Sequence, residues 1–126
     1  MWLLAFAAAA NLSGIPGGDD PARVTEHGLG RNGTGRVAVI FPAATGGKSR
    51  RPAVFYLRIA DRWCRVGTGD YLRGSNRVDR GGRNASIRLI DRQERAVYMY
   101  WRDQRLVLIR GGGQVRALDA PKTGCD

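Results

Sequence analysis

The chain predicts a mainly β fold: a small antiparallel β-sandwich or barrel of about six to eight strands, with a C-terminal meander. Three observations carry this expectation. From residue 36 onward, short runs rich in Val, Ile, Leu, Tyr, Phe and Trp recur at strand length. Several of these runs alternate apolar and polar side chains instead of repeating at helical spacing. The connections between the later runs are only a few residues long and hold Gly, Asp, Gln and Arg, which suits antiparallel neighbours.

Residues 1–10 read MWLLAFAAAA and carry no charged side chain. The Ala8-Ala9-Ala10 end has the small-x-small pattern of a secretory cleavage site, although no Lys or Arg precedes the apolar stretch. A short buried helix and a lipid-surface anchor are the other readings. A spanning helix needs roughly 20 apolar residues, so no transmembrane span is expected. Residues 11–35 hold seven Gly and two Pro with no apolar period, and read as a Gly/Pro-rich linker. Residues 36–126 read as a single basic β domain.

Within that domain, Arg36–Phe41 is β-branched and stops at Pro42. Ser86–Ile90 alternates, with Ile87 and Leu89 on one face and Arg88 on the other. Ala96–Trp101 places Val97, Met99 and Trp101 opposite Tyr98 and Tyr100. Arg105–Arg110 is an apolar run between arginines, and Gln114–Leu118 is a last short strand. Residues 84–118 therefore read as a four-stranded meander. Residues 53–66 fit two readings. Phe55, Leu57 and Ile59 alternate as in a hairpin, while Arg58, Asp61, Arg62 and Arg65 fall at helical spacing, which would give an α+β fold with a helix there. The Val, Phe, Tyr, Ile and Trp content favours strands. Asp91-x-x-Glu94 resembles a helix capping pair, but the aromatic run after it favours a strand.

The chain has 126 residues and a formal net charge of +10. Its basic residues are 19 Arg and 2 Lys. Gly, Ala, Arg and Pro make up 57 residues, a bias that GC-rich coding produces without selection for any partner. The field exists whatever its origin, and it attracts polyanions in a salt-dependent way. Residues 36–126 hold 19 basic and 8 acidic side chains, against two and three in residues 1–35.

Cys64 and Cys125 lie 61 positions apart. In an exported chain an even pair implies a disulfide, and closing a loop of that size stabilises by about 4 kcal/mol in the chain-entropy picture. Two unrelated thiols are the alternative. Two cysteines without CxxC spacing and one histidine do not make a zinc site, so no metal or cofactor is expected.

Catalytic signatures are lacking. The sequence holds no P-loop, GxSxG, HExxH or EF-hand loop. Gly28-Leu29-Gly30-Arg31-Asn32-Gly33 matches GxGxxG, but without the strand before it and helix after it that a dinucleotide site requires. His27 could pair with Cys64 as base and nucleophile only from the Gly-rich arm, so no enzyme is expected. Three N-x-S/T sequons begin at Asn11, Asn32 and Asn84, and would matter only in a glycosylating secretory pathway.

Two function classes remain. In the first, a periplasmic or secreted binding protein presents its basic β domain to an anionic envelope component or an acidic protein surface. The candidate contact residues are Arg88, Arg92, Arg95, Tyr98, Tyr100, Arg102 and Arg105, grouped around the turns and outer face of the meander. In the second, a cytoplasmic nucleic-acid-binding module stacks bases on Tyr98 and Tyr100 and holds phosphates with arginine. The two RGG elements, Arg80-Gly81-Gly82 and Arg110-Gly111-Gly112, fit that class but equally read as turns.

Overall fold

The computed structural model of the chain describes residues 12, 15–30, 33–43, 51–78, 85–121 and 125. The signal-like residues 1–10, the sequon asparagines Asn11, Asn32 and Asn84, and the RGG element at residues 80–82 lie outside the described residues.

Nine strands follow in chain order: β1 (Val24–Leu29), β2 (Gly35–Ile40), β3 (Ala53–Ile59), β4 (Arg62–Gly69), β5 (Tyr71–Val78), β6 (Ala85–Asp91), β7 (Ala96–Arg102), β8 (Arg105–Arg110) and β9 (Gly113–Asp119). They form two antiparallel meanders, a four-stranded sheet in the order β1-β2-β3-β4 and a five-stranded sheet in the order β5-β6-β7-β8-β9. The architecture is a small β-sandwich. No strand ladder joins the two sheets among the described residues, so it is not a closed barrel.

The core lies between the sheets, where alternation on both sides supplies its contents. The first sheet contributes Leu29, Val37, Val39, Phe55 and Leu57, and the second Ile87, Leu89, Val97, Met99, Leu106 and Leu108. Side chains bridge the sheets near both edges. Thr25 Oγ1 donates to the Gly74 carbonyl at 3.2 Å and Asn76 Nδ2 to the Glu26 carbonyl at 3.2 Å, tying β1 to β5. Arg116 donates to the Thr68 carbonyl, tying β9 to β4. Asp70 alone links β4 to β5, so the chain passes from one sheet to the other through a tight corner.

Two sequence expectations need correction, and the open choice at residues 53–66 is decided. Residues 53–66 are a hairpin, as their side-chain content favoured, and not a helix. Ala53, Phe55 and Leu57 are buried while Arg58 and Arg65 take the other face, and the helically spaced Asp61 and Arg62 mark the turn and its exit. Residues 24–29, inside the stretch read as a linker, form β1 and pair with β2. The meander has five strands, because Tyr71–Val78 pairs with β6. The Asp91–Glu94 segment is a turn, as the following aromatic strand suggested.

The segment before β1 covers the outer face of the first sheet. Leu12, Ala38 and Ile40 are all buried there although they lie outside the inter-sheet core. Arg23 secures the segment, since its Nε donates to the Phe41 carbonyl at 2.8 Å and its own carbonyl accepts from the Phe41 N–H at 2.8 Å. Cys64, itself buried, is joined to Cys125 by a disulfide that anchors the C-terminal tail beside β4. Among the described residues no helix is long and apolar enough to cross a membrane.

Candidate binding face

The outer face of the five-stranded sheet follows from the register. Val97, Met99 and Trp101 point into the core or pack against it, so Tyr98, Tyr100 and Arg102 take the opposite side of β7. Arg88 lies directly across from Tyr98 on β6, and Ser75 across from Arg88 on β5. On the far side Ile109 opposes Tyr98, Val107 opposes Tyr100, and Arg105 opposes Arg102. The rows therefore run from arginine on the β5–β6 side through a tyrosine centre to aliphatic residues on β8. Ser86, Ile90 and Val107 are buried, Arg88, Tyr98 and Tyr100 half-buried, and Arg77, Arg102 and Arg105 exposed.

The tyrosines position the guanidinium groups. The Arg77 guanidinium carbon lies 5.3 Å from the centre of the Tyr98 ring, and its Nη1 donates to Tyr98 Oη at 3.0 Å. Arg102 lies 4.9 Å from the centre of Tyr100. A guanidinium stacked on an aromatic ring keeps N–H groups on its edge for an oxyanion. Arg77, Arg88 and Arg102 have no carboxylate partner among the described residues. Arg105 does, in Asp119 at 2.6 Å across the β8–β9 pair.

Five of the seven candidate residues thus share this face: Arg88, Tyr98, Tyr100, Arg102 and Arg105. Arg92 and Arg95 do not join them. They sit in the β6–β7 turn, where Arg92 pairs with Asp70 and Arg95 with Asp91 at 3.1 Å. Asp91 builds that turn. Its Oδ1 accepts from the backbone N–H groups of Gln93 and Arg95, each at 2.9 Å, and these bonds hold its carboxyl below the ordinary range. Beside it, Arg73 holds the Glu94 carboxyl below its ordinary value through a hydrogen bond and its charge.

Arg73, Ser75 and Arg77 also belong to this face, and sequence reasoning missed them. Their period of two was a usable signal, but the apolar half of the alternation is weak, since β5 is exposed over most of its length.

Other expected chemistry resolves on geometry. Cys64 is in a disulfide, so it offers His27 no thiolate. The GxGxxG segment spans the β1–β2 hairpin, where a strand precedes it but a second strand follows in place of a helix. Arg110-Gly111-Gly112 is the β8–β9 turn, with both glycines at positive φ. Among the described residues no three metal-ligating side chains converge. Comparison with known proteins returns no match to a protein family, a curated protein or a solved structure.

Proposed function

We propose that this is a small exported binding protein, not an enzyme, and that the outer face of its five-stranded sheet docks an anionic envelope component or an acidic protein surface. The observation that carries the proposal is the grouping of Arg77, Arg88, Arg102 and Arg105 around Tyr98 and Tyr100, with Asp119 the one carboxylate paired to them among the described residues. Export is supported by the signal-like start and by the disulfide, which belongs with an oxidising compartment. Arg92 and Arg95 act in this reading as turn-builders and not as contacts.

A nucleic-acid-binding role is the second reading. It is favoured by one feature, the placement of Tyr98 and Tyr100 two residues apart on the central strand, where successive bases could stack.

Titration with heparin, single-stranded RNA and phosphatidylglycerol-rich vesicles across a salt series tests both. The expected result is binding to heparin or to vesicles, weakened several-fold and with a shallower salt dependence in Arg88→Gln/Arg102→Gln, and little changed by Tyr98→Ala. Preference for RNA over heparin, lost in Tyr98→Ala, moves the assignment to the second reading. Binding untouched by the arginine substitutions overturns both. Intact mass of natively expressed protein tests export, which fails if residue 1 is retained and both thiols alkylate without reduction.

A further inference from the structure

At the end of the sandwich beside the β4–β5 corner, the surface opens into a depression of about 320 Å³. That lies near the lower limit for small-molecule pockets, which favour the mouths of β folds. Tyr71 and Val97 line it from the core end, and Arg95 from the β6–β7 turn, Arg110 from the end of β8 and Arg116 from the middle of β9. The site is separate from the arginine–tyrosine face, because Tyr71 and Val97 belong to the inward side of the sheet.

Its walls are held in place by buried groups. Tyr71 packs against Phe55, ring centres 6.1 Å apart, and a Cβ on Gly69 would come within 2.4 Å of the Tyr71 ring. Asp91 is 7% exposed and faces two guanidiniums, Arg95 at 3.1 Å and Arg110 at 3.8 Å. Arg116 is satisfied by a neutral carbonyl, that of Thr68, and Asp70 is taken up by Arg92. Three arginines therefore face the depression against the one carboxylate that Arg92 does not engage. The Tyr71 hydroxyl has no hydrogen-bond partner among the described residues, and burial pushes its pKa up, so it stays a proton donor at neutral pH. Val115, 49% exposed at the β8–β9 bulge, forms an apolar part of the lining.

We infer that this depression binds a small organic anion, its carboxylate or phosphate head held by Arg110, Arg116 and the Tyr71 hydroxyl and its apolar body lying against Val97 and Val115. Excess positive charge, an unpartnered donor and an exposed aliphatic side chain all find their complement in one such molecule.

The test is an amide chemical-shift titration of the full chain with benzoate, phenyl phosphate and benzyl alcohol. Benzoate or phenyl phosphate, whichever head the site takes, should give saturable shifts centred on Tyr71, Gln93, Val97 and Arg116. Benzyl alcohol, apolar but uncharged, should bind at least about tenfold more weakly. Arg110→Gln should weaken the anion about tenfold, the size expected for one lost charge-assisted bond. Arg65→Gln, an equal loss of charge on the other sheet, should leave the affinity unchanged. Arg116→Gln should also weaken it. If loss of the Thr68 link unfolds that variant, Tyr71→Phe and Arg110→Gln decide the matter. The inference is overturned if benzyl alcohol binds equally well, if the anion shifts do not saturate and spread over all arginines, or if Arg110→Gln and Tyr71→Phe both bind as the parent chain does.

Discussion

Gly35 has no room for a methyl group. A Cβ there would stand 2.4 Å from the Trp101 ring, and the buried strand around it cannot move away cheaply. Gly35→Ala is expected to lower stability by about 1–3 kcal/mol in denaturant unfolding. Gly35→Ala/Trp101→Leu should recover part of the loss, which a double-mutant cycle would read as coupling. Asp91 gives a second prediction at this scale. Its carboxyl and that of Glu94 titrate below their ordinary values of 3.8 and 4.5. A lowered native pKa stabilises the fold fully above the ordinary value, and that contribution disappears as pH falls below it. Thermal unfolding midpoints should therefore fall steeply below about pH 4. Asp91→Asn should start lower at neutral pH and decline less on acidification; an identical acid slope in the variant would refute the assignment.

The hairpins show how local conformation and pairing divide the work. Asp103 and Gln104, the two residues between β7 and β8, both take positive φ, 51° and 63°, the geometry whose twist suits a two-residue hairpin. Ala60, between β3 and β4, sits at φ 55°. Left-handed backbone costs an L-residue about 1–2 kcal/mol, while glycine gives back about 0.5–1 kcal/mol in chain entropy. Ala60→Gly and Gln104→Gly should each stabilise by up to about 1 kcal/mol, seen as a raised denaturation midpoint with an unchanged slope. Neither turn carries the usual Asn-Gly signature, yet both hairpins form, since pairing buries Phe55, Leu57 and Cys64 in the first and Val97, Met99, Leu106 and Leu108 in the second. The same balance explains what was legible in sequence. β2, β6, β7 and β8 lie between neighbours and announce themselves by dense β-branched and aromatic residues. β1 and β5 lie at sheet edges, where one side of the strand has no neighbour among the described residues and the composition is diluted, although each pairs with the strand that follows it in the chain.

For the whole molecule, the disulfide matters through where it attaches. It ties the chain after β9 to β4, beside the edge where Arg116 also crosses to Thr68. Reduction should lower stability by about 2–4 kcal/mol, measured as a shift in the guanidinium midpoint. The Cys64→Ala/Cys125→Ser chain should give the same midpoint with and without reductant; sensitivity to reductant in that chain would place the effect elsewhere. The two sheets also differ in what their outer faces do. The first is covered by Leu12 and residues 15–23 and buries Ala38 and Ile40, whereas the second carries arginines stacked on tyrosines.

The sequence by itself determined the β class, the strand identities of the central elements, the shared face of Tyr98 and Tyr100, and the cationic character of the folded part. Those properties follow from side-chain alternation and composition, which are local. Tertiary structure decided the sandwich over the barrel and the hairpin over the helix at residues 53–66. It also decided which arginines remain available to a partner. Arg92 and Arg95 read the same as Arg88 and Arg102 in one dimension. Arg95 is taken up by Asp91 four residues before it, within its own turn, whereas Arg92 is taken up by Asp70, 22 positions away, and that pairing is a property of register that no local pattern encodes.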